Sequence, residues 1–144
     1  MSELSCKLVS SDLELEAAFE VRRQVFVREQ GISEDLVLDK HDREALQMVA
    51  MNEGRVIGTA RVQFLPAHQA KIERMAVLKS LRHKGIGREI ISFLDEELKN
   101  RNVRQVVLHA QYPVVPFYQA CGFEETGLPF WETGIKHIKM RKQL

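Results

Sequence analysis

The sequence lacks the cysteine pattern of a disulfide-built or metal-built domain. Its 144 residues include only two cysteines, Cys6 and Cys121, which lie far apart and form no Cys-x-x-Cys pair. The five histidines show no metal-ligand spacing, so we expect no bound metal. Such sparse cysteine usage predicts a protein of the reducing cytoplasm.

Long apolar runs and a one-sided charge are also missing. No segment approaches the roughly 20 apolar residues of a membrane span, and the stretch from Met1 to Leu4 shows no basic and hydrophobic leader. The 21 basic and 20 acidic side chains nearly cancel, to a net charge of +1. Binding to a nucleic-acid backbone needs a strongly basic face. We therefore expect no membrane and no nucleic acid as partner.

The chain does contain alternating strand and helix patterns, without repeats, and this predicts one α/β domain over residues 1–144. Strands are predicted at 6–9, 46–51, 55–64, 71–78, 104–110 and 135–141. The second to fourth of these read as an antiparallel meander. One helix is predicted from the Ser11-x-x-Glu14 capping pattern to Gly31, and a short one from Pro116 to Gly122.

The most informative segment joins the strand at 71–78 to a long amphipathic helix. It reads Arg82-His83-Lys84-Gly85-Ile86-Gly87-Arg88. Unpaired amides and the positive end of the helix dipole meet at such a helix start, where they bind phosphate oxygens. The basic side chains add a field suited to a diphosphate. We interpret the two glycines as leaving room for the anion, although a simple strand-to-helix turn is an equal alternative when the loop is taken alone.

The loop differs from the two common nucleotide loops. A Walker loop needs Gly-Lys followed by Ser or Thr, and a dinucleotide loop needs three spaced glycines. Here Gly87 is followed by Arg88, which offers no magnesium ligand. A nucleotide-phosphate site in an unrelated α/β protein is therefore the weaker alternative.

Two motifs in this order, the glycine loop and Phe117-Tyr118-Gln119-Ala120-Cys121-Gly122-Phe123, resemble the GCN5-related N-acetyltransferase (GNAT) family. The closing Gly134-Ile135-Lys136-His137-Ile138-Lys139-Met140 is similar to small bacterial acetyltransferases that end in Gly-Ile-x-His-x-x-Met. The resemblance implies the acyl-CoA N-acyltransferase fold, an α/β fold with a mixed, mostly antiparallel central sheet, splayed after the fourth strand and flanked by helices. It further implies direct transfer of an acetyl group from acetyl-CoA to a primary amine in a ternary complex.

The resemblance also implies roles for individual residues. Glu73 would be the base, acting through water, and its alternative is a salt bridge with a basic neighbour. Tyr118 would protonate the leaving thiolate, and its alternative is an aromatic core residue. The implied cofactor contacts are Met75, Ala76, Val77, Arg82, His83, Lys84, Gly85, Ile86, Gly87, Arg88, His109, Phe117 and Tyr118.

The sequence says less about which residues would bind the acceptor amine. His109 could face the acetyl group or relay a proton, or it could anchor the end of its strand. Asp39 and Asp42 lie in an acidic, irregular stretch that could attract a cationic amine or simply be a solvated loop. Glu132 and His137 could line the acceptor pocket, and for His137 a core histidine bonded to a backbone carbonyl is the alternative.

The sequence also bears on Cys121, on the partners and on the alternative to an enzyme. Cys121 precedes the capping glycine and is interpreted as a packed side chain, not a nucleophile. A small-molecule or peptide amine is the expected acceptor, and a homodimer is possible because family members often dimerise. The alternative to an enzyme is a non-catalytic acyl-CoA-binding sensor or docking module.

Overall fold

The computed structural model describes residues 4–144 and contains a seven-stranded sheet. In chain order the strands are β1 (Leu4–Leu8), β2 (Leu46–Asn52), β3 (Arg55–Leu65), β4 (Gln69–Val77), β5 (Gln105–Gln111), β6 (Glu124–Glu132) and β7 (Ile135–Gln143). They are arranged as β1-β2-β3-β4-β5-β7-β6, with β4 and β5 parallel and the other neighbours antiparallel. The predicted mixed, mostly antiparallel sheet is confirmed. Residues 1–3 of the predicted domain lie outside the described residues.

The sheet opens between β4 and β5. The two strands pair from Gln69 with Gln105 as far as Ile72 with Leu108, although β4 continues to Val77 and β5 to Gln111. Glu73 and His109 are therefore the first residues beyond the last pair, one on each wall of the opening. The predicted splay after the fourth strand is confirmed.

A β-bulge shapes the β4 wall of this opening. Thr59 pairs with Ala76 and Arg61 pairs with Glu73, so β4 carries one more residue than β3 between these pairs. Arg74 takes a left-handed backbone conformation there, with φ of 54°. Because a bulge leaves its extra residue outside the ladder, β4 bends at this point, and its backbone turns from β3 toward the opening.

Three α-helices cover the sheet: α1 (Asp12–Arg22), α2 (Ile86–Lys99) and α3 (Val115–Ala120). The Ser11 hydroxyl accepts from the backbone N–H of Glu14 at 3.1 Å, which confirms the predicted start of α1. A π-helical segment, Arg23–Glu29, continues α1, and Gly31 follows at φ of 74°. The apolar face of α2 packs into the core through Ile90, Ile91, Leu94 and Leu98.

The sequence patterns miss β6, because Gly127 and Pro129 interrupt it. Both residues fall where the pairing of β6 with β7 changes register, between Thr126 and Phe130. A proline is tolerated on an edge strand and at an irregularity, where the missing N–H is not needed by a neighbour. As the last strand of the sheet, β6 meets both conditions. It brings Phe130 and Glu132 to the opening beside β5 and β7.

Within residues 4–144, none of the helices has both the length and the apolar character needed to cross a bilayer.

Candidate active site

The opening between β4 and β5 forms a cleft of about 680 Å³. It is bounded by the β4 bulge, the start of α2, the helix α3 and the ends of β5, β6 and β7. The predicted site residues that line it are Glu73, Met75, Ala76, Val77, Arg82, His83, Gly85, Ile86, Gly87, Arg88, His109, Phe117, Tyr118, Glu132 and His137. Lys84, Asp39 and Asp42 are not among the lining residues. The fold thus gathers segments that are far apart in sequence around a single cavity.

The amino-terminal end of α2 opens onto this cleft. Gly85 is its N-cap, at φ of 85°, and the cap has no side-chain hydrogen bond. The first-turn amides of Ile86, Gly87 and Arg88 have no intrahelical acceptor, as at any helix start. A Cβ at Gly85 would meet no protein atom within 4 Å, and the left-handed conformation is what requires a glycine there. The amides and the helix dipole offer a site for an anionic group.

Gly87 has a packing role that the sequence did not predict. A Cβ at this position would lie 3.0 Å from Cζ of Phe117 and 3.4 Å from Cε of Met75. The missing side chain therefore lets α2 approach α3 closely. Gly87 also lines the cleft, and the room that it leaves for an anion stays a prediction.

The loop cations divide into one anchored and two free side chains. Arg82 donates to both carboxylate oxygens of Glu29, at 2.6 and 2.7 Å, and its Nε donates to the backbone oxygen of Val77 at 3.0 Å. The hydrogen bonds from Arg82 lower the pKa of Glu29. Arg82 thus ties the loop to the end of the π-helical segment. Among the described residues Lys84 and Arg88 have no carboxylate partner, and both are exposed.

Tyr118 lies at the inner end of the cleft among aromatic rings. Its ring makes edge contacts with Phe117 and Phe123, at centroid distances of 5.0 and 5.9 Å. Its hydroxyl donates to Sδ of Met75 at 3.8 Å, and a thioether is a weak acceptor. Burial raises the pKa of Tyr118, with a smaller contribution from Cys121. The phenol is therefore protonated at neutral pH and acts as a hydrogen-bond donor toward the cleft.

Glu73 faces the cleft from β4 but is heavily engaged by its neighbours. Its Oε1 accepts from Nε of Arg61 at 3.0 Å and from Gln63 at 2.5 Å, and its Oε2 lies 3.1 Å from Nζ of Lys71. Burial works toward a higher pKa of Glu73, but the hydrogen bond from Gln63 and the charges of Arg61 and Lys71 outweigh it and lower the pKa. Glu73 is thus an ionised carboxylate with reduced basicity.

Asp39 and Asp42 belong to an arginine network outside the cleft. Asp39 accepts two hydrogen bonds from Arg61, at 2.7 and 3.0 Å, and one from Arg74 at 3.2 Å. Asp42 lies 2.8 Å from Nη1 of the fully buried Arg22 and 3.0 Å from Nη1 of Arg61. Three arginines therefore neutralise the two carboxylates. The structure does not bring Asp39 and Asp42 to the cleft, and neither offers a free charge to an amine.

The wall opposite Glu73 carries a histidine and carboxylate pair. Nδ1 of His109 lies 3.2 Å from Oε1 of Glu132, and the His109 ring meets the Phe130 ring edge-on at a centroid distance of 4.9 Å. The other face of Phe130 stacks with His137, whose Nδ1 bonds to the backbone oxygen of Ile135 at 2.7 Å. The hydrogen bond from His109 lowers the pKa of Glu132 despite burial. His137 is largely buried, at 5% exposure, and lines the cleft beside Phe130.

Sequence reasoning missed Arg61, Gln63 and Phe130. A strand directly before the predicted β4 carries Arg61 and Gln63 two residues apart, and that spacing on one face is the signal that could have placed them beside Glu73. Phe130 had no such signal, because its strand is interrupted by glycine and proline.

Other reactive groups are few in the part of the chain that the structure describes. Cys6 and Cys121 are both free and half-buried. Burial is the main cause of the raised pKa of each thiol, so little thiolate is present at neutral pH. Residues 4–144 contain no group of three or more histidine, cysteine or acidic side chains arranged to hold a metal ion.

A splayed mixed sheet, with an uncapped helix start beside the gap, is typical of acyltransferases of the GNAT class. The chain belongs to this family, because the model of the acetyltransferase (GNAT) domain matches residues 11–144. The protein YyaT of Bacillus subtilis, itself uncharacterised, is 32% identical over 98% of this chain and 97% of its own length.

Solved structures agree with this assignment. An N-acetyltransferase candidate from Lactobacillus plantarum superposes with a TM-score of 0.91 at 28% identity, covering 98% of both chains. A Bacillus subtilis acetyltransferase crystallised with CoA superposes with a TM-score of 0.76, covering 99% of both chains. At 16% identity this second likeness concerns the fold alone.

Proposed function

We propose that this protein moves an acetyl group from acetyl-CoA to a primary amine by direct transfer in a ternary complex. The observation that carries the proposal is the cleft itself, because an uncapped helix start and the bulged β4 both line it. The amides from Arg82 to Arg88 would hold the pyrophosphate, and the backbone from Met75 to Val77 would pair with pantetheine amides. CoA bound to a related fold is consistent with this arrangement.

In the proposed reaction Tyr118 assists the departure of the thiolate. The raised pKa of Tyr118 keeps its proton in place, and the hydroxyl already points to a sulfur atom, that of Met75. A thiolate is a stronger acceptor than a thioether, so the phenol would turn to it as negative charge develops.

The attacking amine needs a proton acceptor, because an ammonium has no lone pair. Glu73 and His109 both line the cleft, one on each wall. Glu73 would act through a water molecule, as the family resemblance implies, but its neighbouring cations reduce its basicity. His109 would be the alternative acceptor of the proton.

The second candidate function is a non-catalytic acyl-CoA sensor or docking module. It would keep the helix start and the bulge but would not need Tyr118 or the groups on the opposite wall. The presence of competent side chains at both proton-transfer positions favours the enzyme. A homodimer, a cytoplasmic location and membership of the subgroup ending in Gly-Ile-x-His-x-x-Met stay predictions.

The test combines binding and turnover. Calorimetry would measure acetyl-CoA, CoA and ATP binding, and mass spectrometry would follow CoA and acetylated product with a panel of spermidine, glucosamine, phenethylamine and an alanyl peptide. Mass detection avoids thiol reagents, which would also react with the free Cys6 and Cys121. Turnover supports the enzyme. Binding without turnover supports the sensor, and ATP competing as well as CoA supports a nucleotide-phosphate site.

A further inference from the structure

The opening between β4 and β5 holds two groups that can take a proton, and their surroundings differ. Ile72 and Leu108, the last paired residues, are buried, so the next residue on each strand points to the other face. Those next residues are Glu73 and His109, which therefore leave the sheet on the same side and at the same level. Glu73 and His109 are therefore alternative acceptors for the proton of the attacking amine.

Glu73 is poorly suited to accept a proton. Both of its carboxylate oxygens are engaged. Oε1 accepts from Arg61 and Gln63, and Oε2 lies beside the ammonium of Lys71. Its side chain is only 10% exposed. Protonation of Glu73 would break its ion pair with Arg61. Because Arg61 is only 1% exposed, the loss of a negative partner would leave part of a buried positive charge unbalanced.

His109 has the opposite arrangement. Glu132 holds Nδ1 at 3.2 Å, and within residues 4–144 this carboxylate is the only side-chain hydrogen-bond partner of the ring. A carboxylate accepts and cannot donate, so the contact favours the tautomer with the proton on Nδ1 and the lone pair on Nε2. The edge contact with Phe130 fixes the ring plane. The ring is 28% exposed and lines the cleft.

We propose that His109 is the general base of the transfer and that Glu132 is its positioning residue. This rests on the proposed acetyltransferase function. The ammonium first loses a proton to solvent, and the neutral amine then attacks the thioester carbon, forming the C–N bond while the carbonyl electron pair moves to oxygen. The proton on the now cationic nitrogen passes to Nε2 of His109, and Glu132 stabilises the resulting imidazolium. The C–S bond then breaks, the thiolate takes a proton from Tyr118, and solvent exchange restores both groups.

The charges around His109 come from three other strands. Glu132 on β6 is the nearest, at 3.2 Å, and it also lies 3.9 Å from Nε2 of His137 on β7. Lys71 on β4 acts on the same carboxylate, since its charge contributes to the lowered pKa of Glu132. Lys139 on β7 is the register partner of His109, and Glu73 on the opposite wall is held by its own cations. Glu132 is thus the carboxylate in direct contact with the His109 ring.

The test uses the full-length protein with acetyl-CoA and the fastest amine of the panel. His109→Gln is expected to lower kcat/KM by about 100-fold or more, the usual range for a lost general base, without changing acetyl-CoA binding. Glu132→Gln is expected to give a smaller loss of kcat/KM with unchanged acetyl-CoA binding, because the imidazolium formed during the transfer loses its counter-charge. His41→Gln and Glu125→Gln are matched controls at exposed positions outside the cleft.

A second readout needs no acceptor. Nitrogen-15 spectra of the imidazoles, assigned by the signal lost in His109→Gln, are expected to show the Nδ1–H tautomer in the wild type and a weaker preference for it in Glu132→Gln, whose amide can either accept or donate. An Nε2–H tautomer in the wild type would overturn the proposal. So would full activity of His109→Gln alongside a large loss in Glu73→Gln. If the wild type binds acetyl-CoA but acetylates no amine, the proposed function fails and the assignment of a base fails with it.

Discussion

Gly87 lies directly against the ring of Phe117, so closely that a single added carbon would come within 3.0 Å of Cζ. The contact joins the uncapped start of α2 to the helix that carries Tyr118. The two motifs that identify the family are therefore one packed unit at the inner end of the cleft, and the spacing between them is set by the missing side chain.

The first prediction concerns this contact. Gly87→Ala should destabilise the fold by about 1–3 kcal/mol through overpacking and should also weaken acetyl-CoA binding, because α2 must shift from Phe117. Combining it with Phe117→Leu should recover part of the loss. Urea unfolding and calorimetry would measure both effects.

Gly134→Ala serves as the control for the first prediction. Gly134 has open space around its Cβ position and φ of 76°, so alanine there costs backbone strain alone. It should lower stability by about 1–2 kcal/mol and leave acetyl-CoA binding unchanged. Strict additivity of Gly87→Ala and Phe117→Leu would argue against a direct contact.

Tyr118→Phe is predicted to separate chemistry from binding. It removes the hydroxyl that points to Met75 but keeps the ring that packs on Phe117 and Phe123. We expect kcat to fall by about 100-fold with little change in stability or in acetyl-CoA affinity. Rapid-quench measurement of a single turnover would locate the loss in the transfer step. Unchanged single-turnover rates would remove Tyr118 from the proposed mechanism.

The exposed cations of the loop are predicted to act on the phosphates of CoA alone. Replacing Lys84 and Arg88 by glutamine should weaken CoA binding by about tenfold and reduce its salt dependence, since these side chains contribute charge without fixed partners. Pantetheine, which lacks the phosphates, should bind equally to the variant and the wild type. The double variant Lys40→Gln and Lys99→Gln carries the same change in charge outside the loop and should bind CoA normally.

Much of the fold is legible in the sequence because its signals are local. The Ser11 cap, the β2–β3 hairpin around Gly54 and the apolar periodicity of α2 each depend on neighbours within a few residues. β6 cannot be predicted from the sequence, because only its pairing with β7 in the assembled sheet compensates for Gly127 and Pro129. Local sequence patterns contain no information about such tertiary pairing.

The same distinction explains the site. The helix start at Gly85 is a local feature and was predictable, whereas the partners of Glu73 come from β3 and become visible only through strand pairing. Asp39 and Asp42 look like an acidic cluster in sequence, but their counter-charges, Arg22 and Arg61, are 20 and 22 residues away from the carboxylates they bind. Net charge along a segment does not reveal which charges are already paired.

Asp42 gives a prediction for acid stability. Burial opposes ionisation of its carboxyl, but hydrogen bonds from the Asp39 amide and from Arg22 lower its pKa to about 2, from an ordinary value of 3.8. A carboxyl with a lower pKa in the folded state stabilises the fold above its ordinary pKa, and this contribution disappears as the pH falls toward 2.

Asp42→Asn should therefore destabilise the protein at pH 7 by about 3 kcal/mol, because the fully buried Arg22 loses its counter-charge. The wild-type carboxyl of Asp42 becomes protonated as the pH falls toward its pKa of about 2. The difference in unfolding free energy between the variant and the wild type should therefore shrink between pH 4 and pH 2. Urea titrations across this range would measure it. Asp35→Asn, at an exposed position of the same stretch, should show no such trend. A difference that stays constant down to pH 2 would mean that Asp42 stabilises the fold through its shape and hydrogen bonds, not through its charge.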